Sequence, residues 1–370
     1  MQATFEEIGI AQADLVEAGL FTNPFFDAYI RFPDRSSANL NTQFSIATSF
    51  LDIILIPLRK KTAKLQFDQV KMRVANVILS FAAQVEQTFF SLQAALTKAE
   101  LQRMLIEAAA AAAALAEKQL KVGNINDLAF EVKTMDFQQS QMELEQTEIE
   151  IISLIEKLSI LMGVKCKNWQ ILSSLPSLPD AEVSSKDLEA LALTERLDVA
   201  AMRKEVEVIT SIGAQKKWWS YTNGRIGISS EREADGVRET GPVFGLSIPL
   251  FNYGQADRAR LLAQLRQSQA KLKALELEVK AQVKAAQEKL LRSRKIVEHY
   301  AYLMLPLAKK IVDSSQVQYN IMAYGVYDLL RNKREELRAQ INYGMALRDY
   351  WAARSALELI VGGKLKNKPT

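Results

Sequence analysis

The sequence predicts a mainly α-helical protein with a small β part, built from duplicated, very long helical hairpins and four strands. Three observations predict it: the scarcity and placement of glycine and proline, two stretches of alternating hydrophobicity, and a repeat along the chain. Only 15 glycines and 9 prolines occur in 370 residues, below the usual ~7% and ~5%. A chain so poor in turn formers is neither a many-turned β protein nor a collagen-like or Pro/Gly-rich disordered one. Alanine, leucine, glutamate, lysine and glutamine, all good helix formers, dominate.

The helices come from the gaps between glycines and prolines. Leu58 to Val122 and Asn124 to Met162 contain neither, Gln255 to Met322 contains only Pro306, and Val326 to Val361 contains only Gly344. These read as four long helices, the first spanning ~95–100 Å at ~1.5 Å per residue. Val74, Val77, Ile78, Phe81, Val85 and Phe89 spread over more than one face. That pattern suits a helix with neighbours on both sides rather than a simple dimeric coiled coil. The run Ala108 to Ala114 either lets helices approach closely or is alanine serving as a helix former.

The strands come from period-2 alternation. Phe26, Ala28, Ile30 and Phe32 alternate with Asp27, Tyr29 and Arg31; after the polar turn Pro33 to Asn39, Phe44 and Ile46 alternate with Ser45 and Ala47, and the run continues apolar from Leu51 to Leu55. Ile226 and Ile228 alternate with Arg225, Gly227 and Ser229. The polar loop Glu231 to Gly241 then leads to Phe244, Leu246 and Ile248, interleaved with Gly245 and Ser247. Two hairpins of this kind suit a membrane barrel with a wet lumen, and equally a soluble sheet over a core.

The chain repeats itself. Ile56-Pro57-Leu58 recurs as Ile248-Pro249-Leu250, the turn Val122 to Leu128 as Tyr324 to Leu330, and Leu158 to Lys165 as Leu357 to Lys364. The spacings are 192 (57 to 249), 201 (127 to 328) and 199 (163 to 362), which argues for duplication. The first repeat is assigned to 1–164, with a helix, a β hairpin over 25–57 and a long helix hairpin over 58–162. A linker over 165–194 contains Pro176 and Pro179. The second repeat covers 195–364, with a helix, a β hairpin over 222–250 and a long helix hairpin over 255–362, and 365–370 is a tail.

Several function classes fall away. The 47 basic and 43 acidic residues leave a net charge of +4, interleaved without a basic block, so no nucleic-acid partner is expected. With one cysteine, Cys166, and one histidine, His299, a chain can form neither an internal disulfide nor a His/Cys metal cluster. His299 sits in the helical run Lys295 to Tyr302 without a glycine elbow and reads as a helix-surface histidine. There is no P-loop or Gly-rich phosphate loop. No catalytic residue, cofactor or metal site is expected. No stretch is apolar enough for a transmembrane helix, and Met1-Gln-Ala-Thr-Phe-Glu-Glu does not read as a signal peptide.

Helices of this length cannot bury their apolar faces alone, and four strands leave open edges that invite pairing. Closing copies into a ring removes the edges. A trimer would supply twelve strands and twelve helical segments. Phe21, Phe25 and Phe26 lie at the first hairpin, and Trp218, Trp219 and Tyr221 lie before the second. Such clusters are either core or the aromatic girdles that mark barrel rims.

The order of four motifs then carries a resemblance. Ala13-Asp14-Leu15-Val16-Glu17-Ala18-Gly19-Leu20 followed by Asn23-Pro24 resembles the helix-to-strand transition of the TolC family of outer-membrane efflux channels. Gly241 to Gln255 (GPVFGLSIPLFNYGQ) is similar to the family's second strand-to-helix junction. Glu195-Arg196-Leu197-Asp198-Val199 resembles its RPDL helix start, with Leu197 for proline and Val199 for leucine. Tyr319 to Leu330 and Leu347-Arg348-Asp349-Tyr350-Trp351 resemble the branch serving resistance-nodulation-division pumps, metal exporters included.

The resemblance implies a homotrimeric conduit with an α-barrel and a 12-stranded β-barrel in the outer membrane. It implies a periplasmic extension meeting a periplasmic adaptor (membrane fusion) protein and an inner-membrane pump. The adaptor-docking tips map to Val122, Gly123 and Asn124, and to Tyr324, Gly325 and Val326. Glycine there permits φ > 0 or a close approach. Asp127 and Asp328 would form acidic rings at the narrow end, a gate, or else cap their helices. The family begins with a signal peptide, often followed by a lipid-bearing cysteine. The helix before the aromatic cluster is shorter in the first repeat than in the second, so a segment upstream of Met1 is expected. Cys166, in the linker, reads as a structural thiol. The rival reading is a soluble coiled-coil scaffold or membrane-bending helical protein, which leaves two duplicated β hairpins unexplained. An adaptor protein itself would carry one helical hairpin among many more strands.

Overall fold

The computed structural model describes residues 2–32, 40–164, 175–179, 187–216, 224–233 and 235–364. In chain order the elements are α1 (Gln2–Glu17), β1 (Phe25–Arg31), β2 (Asn41–Ser49), α2 (Phe50–Lys121), α3 (Asp127–Met162), α4 (Leu188–Glu195), α5 (Leu197–Gln215), β3 (Gly224–Arg232), β4 (Arg238–Leu246) and α6 (Gln255–His299). A π-helical turn (Tyr300–Met304), α7 (Leu305–Asn320) and α8 (Val326–Val361) complete the chain. These elements group into two compact units, one of Met1–Ile78 and Arg196–Glu278, the other of Leu79–Glu195 and Val279–Thr370.

In the first unit the four strands form one antiparallel sheet in the order β1-β2-β3-β4. Each predicted hairpin forms, and β2 also pairs with β3 from Thr42↔Arg232 to Ser49↔Arg225. The apolar run from Leu51 to Leu55, expected to extend the first hairpin, is instead the start of α2. Asp52 sits in its first turn, where a carboxylate suits the helix dipole. Pro57 is therefore inside a helix, and Arg59 donates to the Asp52 carbonyl, seven residues before it, at 3.2 Å. Its partner in the repeat, Pro249, lies in irregular chain ahead of α6. Ile56-Pro57-Leu58 and Ile248-Pro249-Leu250 are thus alike in sequence and different in structure. The difference follows from Asn252 and from Gly254 at φ 88°, which delay the second helix.

α5 is joined to α2 and α6 by polar side chains. Glu205 accepts hydrogen bonds from Gln69 at 3.3 Å, Arg73 at 3.2 Å and Ser268 at 3.4 Å. The Gln215 amide donates to the Leu58 carbonyl at 2.8 Å and to the Thr62 hydroxyl. At the N-terminus of α5, Arg196 grips Asp198 in a bidentate pair at 3.0 and 2.7 Å, on the residues that resemble the family's helix start. Burial works to raise the Asp198 carboxyl. The hydrogen bonds and charge of Arg196, with the Val199 amide, outweigh it and hold the group below the usual carboxylate range. The folded chain therefore favours the ionised form. That contribution is present at neutral pH and is lost as pH falls through the depressed value, below about pH 4. Asp198→Asn is expected to flatten the acid side of stability against pH, read by thermal unfolding across that range.

In the second unit α2 and α8 carry most of the buried residues. Leu337 packs with Leu101 and Leu105 of α2, flanked by Ile341. Tyr350 is fully buried and accepts from Arg354 at 3.3 Å. Trp351 stacks near Phe90 at 5.7 Å and donates its indole N–H to the Pro176 carbonyl at 2.9 Å. Of the alanine run, Ala109 and Ala112 are buried while Ala111 and Ala114 face outward, so one face of it serves close packing. α3 and α8 are each 36 residues long and start 199 positions apart (127 to 326). Pro306 does not end its helix. The π-helical turn just before it widens the ring, with the Leu305 N–H bonded to the Tyr300 carbonyl, and so accommodates a residue that lacks an N–H.

Candidate functional site

Two features stand out, one in each unit: the faces of the sheet and the two helix-hairpin tips. The register sorts the sheet into a mainly apolar and a mainly polar face. Paired residues of antiparallel strands share a face. Phe26, Ile46, Ile228 and Pro242 form one row, and Thr48, Ile226 and Phe244 another. With Phe44 and Leu246 they make a largely apolar face, which turns polar at the row Ile30-Thr42-Arg232-Arg238. The rows Asp27-Ser45-Ser229-Gly241 and Tyr29-Gln43-Glu231-Glu239 make a polar one. On it Gln43 donates to Ser229, and Asn41 to Glu231, both at 3.3 Å. Phe26, Ile30, Ile46, Ile228, Phe244 and Leu246 are all more than half exposed, so the described residues leave this face uncovered.

The aromatic residues divide accordingly. Phe26 stacks on Phe44 at 6.2 Å on the apolar face. Phe25, expected beside it at a membrane rim, points to the opposite face, where the Arg225 guanidinium lies 5.3 Å from its ring. Neighbouring residues of a strand cannot share a face, so Phe25 and Phe26 are not one girdle. Phe21 is exposed in the segment before β1. Trp218, Trp219, Tyr221 and Cys166 lie outside the described residues.

At the first tip α2 ends in a Schellman motif. Gly123 takes φ 77°, and the amides of Gly123 and Asn124 bond the Leu120 and Gln119 carbonyls at 2.9 and 2.8 Å. Asn126 then caps α3, its side chain accepting from the Ala129 amide at 3.0 Å. Asp127 is thus in the first turn of α3 and is not the cap. The second tip repeats the geometry with a different residue. The amides of Met322 and Ala323 bond the Tyr319 and Gln318 carbonyls, both at 2.9 Å, and Met322 carries the left-handed φ of 59°. Gly325 has an extended φ of −76° and is the N-cap of α8. Its use is close approach, since the Asp328 carboxylate lies 3.2 Å from where a Cβ would sit. Asp328 also pairs with Arg331 at 2.7 Å.

Met322 was not expected at the site. It is 95% exposed, alongside exposed Ile321 and Val122, and left-handed φ costs an ordinary residue roughly 1–2 kcal/mol. Met322→Gly is expected to raise the thermal stability of the second unit by about 0.5–1 kcal/mol, and Gly123→Ala to lower it by a similar amount. Thermal unfolding of the two variants in the opposite order would contradict the geometry.

Behind the tips, polar contacts tie α8 to the first helix pair. The Tyr327 hydroxyl donates to Gln119 at 2.7 Å, with the Lys133 ammonium 5.4 Å from its ring, and burial pushes the Tyr327 phenol up from its usual range. Arg334 pairs with Asp136 at 2.9 Å. Asn332 donates to Ser315 at 2.7 Å and to the Tyr324 hydroxyl at 3.2 Å. His299 is exposed at the end of α6. Among the described residues no helix is long and apolar enough to cross a membrane, and no group of three His, Cys, Asp or Glu side chains converges.

No protein-family model matches the chain. It is 21% identical to the cobalt-zinc-cadmium resistance protein CzcC of Cupriavidus metallidurans, over 98% of this chain and 86% of that protein. The open-state MtrE outer-membrane channel of Neisseria gonorrhoeae superposes with a TM-score of 0.78 at 13% identity, covering 99% of this chain and 86% of that one. CusC, described for its transmembrane channel formation, gives 0.75 at 14% identity over 98% and 88%. The fold is that of the TolC-like outer-membrane channels.

Proposed function

We propose that this chain, with its outer-membrane-channel fold, is the exit duct of a tripartite efflux system. The duct is a passive homotrimeric conduit that carries small molecules or metal ions to the exterior. A periplasmic adaptor and an inner-membrane pump of the resistance-nodulation-division type feed it, and the pump supplies the energy. The observation that carries this reading is the uncovered apolar face of the sheet, opposite a face of Asp, Gln, Ser and Glu. In water such a patch is a liability. In an outer membrane it is the lipid-facing band of a barrel whose polar face lines a wet lumen. The unpaired edges of β1 and β4 support closure by further copies. A soluble scaffold has no use for either feature.

In this reading the tips, Val122, Gly123 and Asn124 with Tyr324, Gly325 and Val326, dock the adaptor, and Ile321 and Met322 extend that apolar surface. Asp127 and Asp328 line the narrow end as acidic rings. Phe21 and Phe26 meet lipid at the rim. The likeness to CzcC supports metal export as one cargo class. Detergent extraction, sizing and negative-stain microscopy test the proposal. The expected particle is a trimeric tapering cylinder that conducts ions in a planar bilayer. A water-soluble monomer or dimer that does not conduct would end it.

A further inference from the structure

We infer that the first unit carries a basic collar, just beyond the apolar sheet, that binds the anionic phosphate headgroups of a lipid leaflet. The inference rests on the outer-membrane reading above and adds a lipid preference to it.

Both strand-to-helix transitions show the same order of side chains. After β2 come Ile53 and Ile54, exposed, and then Arg59, Lys60, Lys61 and Lys64. After β4 come Ile248, Leu250 and Phe251, exposed at 69%, 74% and 91%, and then Arg258 and Arg260. Uncovered apolar residues followed by a cluster of cations is the order expected where a protein leaves hydrocarbon and enters a charged headgroup layer.

Hydrogen bonds place the two clusters at one level. Gln215 donates to the Leu58 carbonyl at 2.8 Å, and its neighbour Lys216 pairs with Asp257 at 3.0 Å. The start of the lysine cluster on α2, the end of α5 and the first turn of α6 are therefore side by side. Within this level Asp257 is already taken by Lys216 and by Arg260, the latter at 3.5 Å. Lys60, Lys61, Lys64 and Arg258 are exposed and have no ion-pair partner among the described residues. Lys60 runs beside the end of α1, its Cδ 3.9 Å from where a Cβ on Gly19 would sit, and among the described residues it pairs with neither Asp14 nor Glu17. Four exposed cations at one level without a protein carboxylate make a positive patch that attracts an external anion. Phosphodiesters held in a plane by the apolar band are the anions that geometry supplies.

The test is reconstitution of the full-length protein into vesicles of phosphatidylcholine alone and with phosphatidylglycerol, read by the partition ratio. The wild type is expected to favour phosphatidylglycerol at least tenfold at low salt, since each cation at an anionic surface is worth roughly fivefold. The preference should shrink with added salt. The quadruple variant Lys60→Gln, Lys61→Gln, Lys64→Gln, Arg258→Gln is expected to insert equally into both. Insertion of the wild type into both vesicles without preference would overturn the collar while leaving the channel reading intact. Failure to enter either vesicle would overturn the channel reading itself. If inorganic phosphate at millimolar concentration abolishes the preference, the site is a free-anion site and the lipid assignment is wrong.

Discussion

Gly227→Ala is expected to prevent assembly of the sheet, and with it of any oligomer built on the sheet. A Cβ at Gly227 would overlap the Ile46 carbonyl oxygen and come within 2.7 Å of the Ala47 Cα. Both belong to the backbone of β2, so no rotamer change relieves the clash. The contact falls in the β2–β3 ladder, which unites the two hairpins into one sheet. The strands must part or slip, and a one-residue slip would exchange the apolar and polar faces. The cost is at least about 3 kcal/mol, at the upper end of overpacking effects. Gly245→Ala is the control. Its Cβ would meet only the Arg225 Cβ, at 3.8 Å, an ordinary contact. The readout is the heat-resistant oligomer in detergent together with outer-membrane yield. Equal assembly of the two variants would show that the β2–β3 approach is looser than described.

How far these features were legible depends on the range over which each is encoded. Local signals read well. Period-2 alternation located all four strands, and the glycine-free gaps located the long helices. Pairing of β2 with β3 joins residues such as Ile46 and Ile228 across nearly half the chain, and alternation fixes a face without naming a partner. The same holds for Tyr327 with Gln119 and Arg334 with Asp136, where each residue alone looks like ordinary helix surface. Pro57 reads as a breaker, whereas α2 starts seven residues before it and continues through it. Phe25 and Phe26 are neighbours in sequence, but the alternation of β1 puts them on opposite faces. Met322 had no signature of its own, since methionine seldom takes a left-handed φ. The repeat nevertheless contained it. Gly163 and Gly362, the left-handed caps of α3 and α8, are 199 apart, and the same step from Gly123 falls on 322.

Simultaneous Asp127→Ala and Asp328→Ala is expected to raise single-channel conductance in a planar bilayer several-fold. Each carboxylate lies in the first turn of the helix that leaves a tip, where it favours the positive end of the helix dipole by about 0.3–1 kcal/mol. Asp328 additionally holds Arg331 at 2.7 Å and folds back against Gly325. Removing both loosens the starts of α3 and α8 together. In a trimer six such groups would be lost, and the constriction opens to the extent that their contacts are stronger in its closed state than in its open one. Asp127→Asn with Asp328→Asn separates the two contributions, because it removes charge while keeping a hydrogen-bonding side chain. If charge rings at the constriction dominate, the amide pair should lose cation preference as fully as the alanine pair. If anchoring of the helix starts dominates, the amide pair should conduct at an intermediate level. Unchanged conductance in the alanine pair would remove both carboxylates from the gate and leave them as helix-terminal residues only.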